Sequence, residues 1–229
     1  MADALKAKIE QLNLQDEVKI VMTGCIGSCD LGPVAVVAPD GTFYQKLTVE
    51  DADVIAEEHL LKGRPASEVL NRNGHKGSQF TKVEEMPFFR LQKKLILRNC
   101  GVIDPGKIDE YIARDGYGAL SKALTEMSGE QVVEQIKASG LRGRGGGGFP
   151  TGLKWQFTRG AEGDQKYVVC NADEGDPGAF MDRSLLEGDP HALIEGMIIA
   201  GYAVGANQGY IYVRAEYPLA IDRLTVALD

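Results

Sequence analysis

Seven glycines fall within thirteen residues in the run Gly140-Leu-Arg-Gly-Arg-Gly-Gly-Gly-Gly-Phe-Pro-Thr-Gly-Leu-Lys154. Each glycine costs backbone entropy, so such a density must be offset by something only glycine permits. Two such things exist: positive φ angles, and bare N–H groups brought close to a ligand. The charges between Gly140 and Gly160 are all positive: Arg142, Arg144, Lys154 and Arg159. Bare amides beside cations suit a phosphate or pyrophosphate. A flexible hinge is the bland alternative, opposed by Phe149-Pro150 and Leu153-Lys-Trp155, which give the loop defined structure. Three familiar glycine motifs do not fit. A dinucleotide fingerprint needs a strand before the glycines, and here a helix precedes them. A P-loop needs Gly-Lys-Ser/Thr, and an arginine–glycine repeat needs several copies in a basic background.

A second chemical stretch is acidic. The expected strand Lys166-Tyr-Val-Val-Cys170 runs into Asn171-Ala-Asp-Glu-Gly-Asp-Pro-Gly-Ala-Phe180. In open α/β sheets ligands bind beyond the carboxyl ends of strands. Carboxylates there repel phosphate but accept hydrogen bonds from ribose, ribityl or ring N–H groups. A solvated turn is the alternative, since Asp, Gly and Pro are turn formers. Set beside the basic glycine loop, the acidic loop suggests one site with two ends. A third stretch, Thr23-Gly-Cys25-Ile-Gly-Ser-Cys29, spaces two thiols four apart with glycines between them. Both can point at one metal centre; a disulfide or two structural thiols are the alternatives. Cys100 and Cys170 read as small buried apolar residues. His59, His75 and His191 have no ligand spacing, and Trp155 reads as core.

The elements that must hold these residues follow from periodicity. Leu5, Ile9 and Leu12 recur at helical spacing; Val18–Met22, Val34–Ala38 and Thr42–Lys46 read as strands, the last two joined by a Pro39-Asp40-Gly41 turn. Thr48 and Asp51 are placed to cap a helix from Val49 to Leu61. Helices follow over 108–113, 117–125 and 129–138, the last with Ser128 and Gln131 as a capping box. Helix 191–204 is apolar nearly all round and should be buried, which leaves Glu195 in need of a partner. A strand over 209–214 and a helix from Pro218 to Asp229 complete the α/β pattern. That last helix reaches the final residue without a cap, so the chain is expected to stop within a domain.

Composition narrows the function classes. The 229 residues carry 25 basic and 33 acidic side chains, a net charge of −8, which argues against binding nucleic acid by neutralising phosphates. No apolar run approaches the roughly 18 residues that span a bilayer, and no secretory signal opens the chain, so a cytoplasmic protein without direct membrane insertion is expected. Glycine is the anomaly, 28 residues or about 12% against a usual ~7%. The polar run Asn71-Arg-Asn-Gly-His-Lys-Gly-Ser-Gln predicts a linker, dividing the chain into 1–70, a linker over 71–94, and 95–229.

The glycine run, the Cys-Asn-Ala-Asp-Glu-Gly-Asp-Pro-Gly-Ala-Phe run, Glu-Gly-Met-Ile-Ile-Ala-Gly-Tyr-Ala and Gly-Tyr-Ile-Tyr-Val-Arg-Ala-Glu-Tyr together resemble the flavoprotein subunit of NADH:quinone oxidoreductase over about residues 95–229. Leu97-Arg-Asn-Cys-Gly-Val-Ile-Asp-Pro105 and the N-terminal part resemble more narrowly the diaphorase subunit of NAD(P)-linked iron-only hydrogenases. The resemblance implies FMN phosphate and ribityl contacts from Gly143, Gly145 and Lys154, with Arg144 beside them, and FMN ring and ribityl contacts from Asn171, Asp173 and Glu174. It implies NAD(H) or NADP(H) stacking on Phe149 and Phe157, with Asp176 hydrogen-bonding the dinucleotide. Other iron–sulfur subunits of a respiratory or hydrogenase complex are the implied partners. Residues 1–70 resemble the second half of a thioredoxin-like ferredoxin whose two-iron two-sulfur cluster Cys25 and Cys29 would help to hold. Only that cysteine pair is present, so the chain is expected not to hold the cluster stably; a four-iron cluster motif is expected downstream. Two other readings stay open at this stage: a non-catalytic electron-transfer or assembly module that retains no flavin, and a nucleotide-binding regulator.

Overall fold

A computed structural model of the chain describes residues 1–73 and 81–229, and it divides into two compact units. The first unit comprises residues 1–21 and 26–95. It opens with helix α1 (Ala2–Gln11) and a hairpin of β1 (Ala35–Val37) and β2 (Thr42–Tyr44), paired antiparallel with Ala35 opposite Tyr44. Gly41 takes the positive φ of +77° that the hairpin turn requires. Helix α2 (Asp51–Val54) widens into π-helical turns over Ile55–Leu61, and α3 (Ser67–Asn73) follows. The Asp51 carboxylate accepts the Thr48 N–H at 2.8 Å, one half of the expected capping box, but the helix begins at Asp51 rather than Val49, with Glu50 at its cap position and no side chain capping it. Tyr44, Leu47, Ile55, Ala66 and Val69 form the core, with Leu5 of α1 packed against it.

Two features of this unit differ from the sequence pattern. Val18–Met22 has strand-forming residues but joins no ladder among the described residues, because the alternation finds no partner strand to satisfy its backbone groups. Residues 81–94, expected within the linker, belong to the first unit: Phe43 N–H donates to the Thr81 carbonyl at 2.8 Å, and Phe89 of the short helix α4 (Pro87–Arg90) is buried. Of the rest of the expected linker, residues 71–73 end α3, and 74–80, with His75, lie outside the described residues.

The second unit holds residues 22–25 and 96–229. Its helices are α5 (Ile108–Ile112), α6 (Gly118–Glu126), α7 (Gly129–Ala138), α8 (Thr151–Gly160), α9 (Met181–Gly188), α10 (Pro190–Val204) and α11 (Pro218–Leu228). Strands β3 (Tyr167–Ala172) and β4 (Gln208–Val213) pair in parallel, Tyr167 opposite Gln208 and Ala172 opposite Val213. A parallel pair needs a crossover, supplied here by α9 and α10. Helix α10 starts on Pro190, ends at Gly205 with φ +80°, and packs against α6, α7, α8, α9, β3 and α11. Ala172, Leu186, Tyr217, Ala220 and Leu224 make one core cluster; Ala123, Val132, Val133 and Ala203 make another, with Trp155 packed against it as expected.

The partner that Glu195 needs is Tyr111. Glu195 is buried on α10, takes the Tyr111 hydroxyl on one oxygen, and accepts the Leu120 N–H at 3.0 Å on the other. Beside it the buried His191 ring meets the Tyr117 hydroxyl at 2.8 Å and stacks on Tyr111 with centroids 5.7 Å apart. Asn99 donates to the fully buried Asp189 at 2.8 Å and accepts from Arg114 at 2.9 Å. This polar network ties residues 99–120 to the start of α10.

Candidate functional site at the carboxyl edge of the parallel strands

The glycine run connects α7 to α8, and its shape follows from both ends. Helix α7 begins on the capping box, where Ser128 Oγ accepts the Gln131 N–H and the Gln131 side chain accepts the Ser128 N–H at 2.7 Å. Gly140, at φ +68°, ends the turn after it. The loop is pinched at its neck: Gly143 N–H donates to the Phe149 carbonyl and Thr151 N–H to the Leu141 carbonyl, each at 2.9 Å. Arg142 is used inside the loop, donating to the Gly148 carbonyl at 3.0 Å. Beyond the neck, Gly146 and Gly148 hold φ values of +96° and +59°. A Cβ added at Gly145 or Gly147 would meet nothing within 4 Å, so the turn is bare backbone open to approach.

Helix α8 leaves this loop with Pro150 at its cap position and no side chain capping it. The amides of its first turn and the positive end of its dipole therefore stand beside the glycine turn. Lys154 is exposed on the first turn, three residues from Phe157 and so on the same helix face. Arg144 is exposed, as are Phe149 and Phe157, the latter at 64%. Gly152 is fixed by close packing instead: a Cβ there would lie 2.5 Å from the Lys137 backbone nitrogen, so α7 and α8 touch main chain to main chain.

The acidic loop leaves the carboxyl end of β3. Asn171 is exposed in the strand's last turn of pleat, and its Oδ1 accepts the Asp173 N–H at 3.1 Å. Asp173 and Asp176 are exposed. Glu174 faces inward: its two carboxylate oxygens accept the Asp182 and Arg183 N–H groups at 3.0 and 3.1 Å, capping α9 from seven residues upstream. A carboxylate at that helix start is well placed against the dipole. It also leaves Glu174 spoken for within the fold, whereas Asn171, Asp173 and Asp176 face out. Burial, and then the Glu174 charge, pushes the Asp182 carboxyl up; burial, and then Asp182, pushes the Cys170 thiol up.

Hydrogen bonds tie together the ends of these elements that lie away from the two loops. Arg159 at the end of α8 donates to the Ala203 carbonyl at the end of α10 at 2.8 Å, and Lys166 reaches back to the Arg159 carbonyl at 2.6 Å. Gln165, just before β3, bonds Asn207, just before β4, at 2.7 Å. The ends of α8 and α10 and the starts of β3 and β4 thus gather at one edge. Hydrogen bonds hold each loop to its own supports, the glycine loop through Arg142 and the acidic loop through Glu174. The pattern of the sequence missed one part of the carboxyl edge: Arg214, Glu216 and Tyr217 follow the carboxyl end of β4. The same strand-end rule that singles out 171–176 applies to the second parallel strand.

Residues 136–229 match the Nuo51 FMN-binding domain. The resemblance read from the motifs is confirmed over this part of the chain. The NADP-reducing hydrogenase subunit HndC of Solidesulfovibrio fructosivorans is 61% identical over 138 residues, covering 60% of this chain and 28% of its own length. An NADH-quinone oxidoreductase subunit of Rhizobium meliloti is 52% identical over 134 residues, 58% of this chain and 32% of its own. The NAD-reducing hydrogenase HoxS subunit alpha of Cupriavidus necator is 39% identical over 196 residues, 85% of this chain and 30% of its own. The chain therefore spans about a third of the length of the curated relatives it matches.

The donor set of the second unit fits FMN. Open glycine amides, an uncapped helix start, Arg144 and Lys154 suit a phosphate, and Asn171 and Asp173 suit hydroxyl and ring N–H groups. The cysteines do not fit a two-iron cluster, which takes four ligands. Cys25 and Cys29 are exposed, but Cys100 is buried against Gly188 and Cys170 lies within β3. Among the described residues no group of three or more His, Cys, Asp or Glu side chains could hold a metal ion, and no helix is long and apolar enough to cross a membrane.

Proposed function

We propose that this chain carries the flavin- and dinucleotide-facing part of a cytoplasmic NAD(P)H oxidoreductase subunit, one that exchanges electrons with iron–sulfur subunits of a larger complex. One observation carries the reading: an uncapped helix start approached by open glycine amides, with Arg144 and Lys154 exposed beside it. When bound, FMN supplies the hydride chemistry toward nicotinamide and the single-electron chemistry toward iron–sulfur partners.

The chain's own residues bind and orient. The Gly145 amide, the first turn of α8 and Lys154 hold the FMN phosphate, Arg144 adds charge at the loop tip, and Gly143, expected among the phosphate contacts, instead closes the loop neck with its N–H on the Phe149 carbonyl. Asn171 and Asp173 take the ribityl hydroxyls and ring N–H groups, with Glu174 holding their loop. Phe149 and Phe157 offer exposed faces for the dinucleotide to stack on, and Asp176 accepts from its hydroxyls. No side-chain nucleophile or base is needed; holding two rings at reacting distance and excluding water is the protein's task. Residues 1–70 are read as the second half of a thioredoxin-like domain, supported by the order of helix, hairpin and helix, and lacking the ligands to hold a cluster.

The test is direct titration of the purified chain with FMN. Quenching of flavin fluorescence that saturates at one equivalent, and anaerobic bleaching of the bound flavin by NADH or NADPH, are the expected results. Lys154→Ala should weaken FMN about tenfold or more, the worth of one charge-assisted contact. A chain that takes up no FMN at micromolar concentrations would overturn the proposal.

A further inference from the structure

We propose that Arg214 is a positioning residue that clamps the loops at the carboxyl ends of β3 and β4 together, and so sets which carboxylates of the acidic loop face a ligand. The inference rests on the FMN reading above for its functional consequence. Arg214 directly follows β4. Its Nη1 donates to the Glu174 carbonyl, while Nε and Nη2 donate to the two oxygens of Glu216 at 3.1 and 3.0 Å. One planar fork thus holds the main chain of one loop and the side chain of the other. The guanidinium also lies over the Tyr217 ring, 5.3 Å from its centroid, and Arg183 of α9 lies over the same ring at 5.4 Å. The Tyr217 hydroxyl lies 3.4 Å from the Glu174 carboxylate and 3.5 Å from its carbonyl.

All these supports converge on Glu174: its carboxylate caps α9, its carbonyl meets Arg214, and Tyr217 lies against both. Pinning the one inward residue fixes the direction of its neighbours, and Asn171, Asp173 and Asp176 are left exposed. A guanidinium suits this task and an ammonium does not. Three donors must reach two partners in one plane, and lysine offers a single point charge.

The experiment compares wild-type chain, Arg214→Ala and Arg214→Lys by two readouts: the FMN dissociation constant, and amide hydrogen exchange of the flavin-free chain. In the alanine variant FMN binding should weaken about tenfold or more, as expected for losing a hydrogen-bonded charge. Exchange over 173–179 should accelerate while α7 keeps its protection. Added guanidinium ion should restore part of the affinity, and the lysine variant should fall between the other two. FMN affinity within about twofold of wild type, with unchanged exchange over 173–179, would overturn the clamp. If wild-type chain takes up no FMN but the exchange contrast persists, the clamp stands and the flavin assignment falls. If FMN binds and the contrast is absent, the clamp falls and the flavin assignment stands. Should the alanine variant fail to fold, the lysine variant carries the same two comparisons.

Discussion

Replacing Tyr111 by phenylalanine removes one hydroxyl from a buried site without changing its volume. Tyr111 is 1% exposed and Glu195 is 7% exposed. Glu195 has two donors, the Tyr111 hydroxyl and the Leu120 N–H, one on each oxygen. Tyr111→Phe leaves one buried carboxylate oxygen without its partner, and nothing else in the packing need move. A hydrogen bond to a charged group is worth about 1.5–3 kcal/mol, and the upper part of that range applies where the acceptor stays buried. At about 2–4 °C per kcal/mol for a protein of this size, the melting temperature should drop by roughly 5–10 °C. Burial, and then the hydrogen bond to Glu195, pushes the Tyr111 hydroxyl up, so it remains a donor throughout the neutral range. Urea unfolding followed through Trp155 is the assay, since it is the chain's one tryptophan and lies in the second unit. Glu195→Gln should also destabilise, and the double variant should cost clearly less than the two single effects added. A Tyr111→Phe change below about 0.5 kcal/mol, or strict additivity, would refute the assignment of Tyr111 as the residue that makes a buried Glu195 tolerable.

Two glycines five residues apart should respond in opposite ways. Gly152→Ala drives a Cβ into the Lys137 backbone and should cost about 1–3 kcal/mol by urea unfolding. Gly147→Ala meets nothing within 4 Å and should leave stability within about 0.5 kcal/mol while weakening FMN, whose approach needs bare backbone. Ser128→Ala removes the cap that accepts the Gln131 N–H and should cost about 1 kcal/mol, with loss of helicity confined to α7. The buried His191 should give stability a pH slope. Burial holds its imidazole below the ordinary value while the Asp189 charge pulls the other way. Between that lowered value and about 6.5 the unfolded chain binds more protons, so stability falls as pH drops through this window. Urea unfolding between pH 7 and 5 should show that slope in the wild-type chain and lose it in His191→Gln.

What could be read in advance was local. The Ser128–Gln131 capping box marks α7 because both residues lie in one turn, and the glycine run marks a ligand-approach loop because glycine acts through its own backbone. Helix α10 is legible as a buried helix, and the strands on either side of the crossover as strands. What could not be read involved partners distant in sequence. Val18–Met22 has the residues of a strand, but a strand exists only if another lies beside it. Helix α8 is hidden because Thr-Gly-Leu-Lys-Trp continues a glycine run, and α9 because its cap, Glu174, lies seven residues before it and not at its first turn. Glu195 plainly needed a partner, yet Tyr111 lies 84 residues away. Arg214 escaped for the same reason, holding a carbonyl forty residues upstream.

On the proposed reading, bare amides of the glycine loop and carboxylates of the acidic loop serve one flavin in the second unit. Amide NMR of the labelled chain during an FMN titration tests it most directly. Resonances of Gly143 to Gly148 and of Asn171 to Asp176 should shift together along one binding curve, and inorganic phosphate should move the first group alone. Shifts confined to one loop under FMN, or two curves with different midpoints, would show that the two loops do not share a ligand.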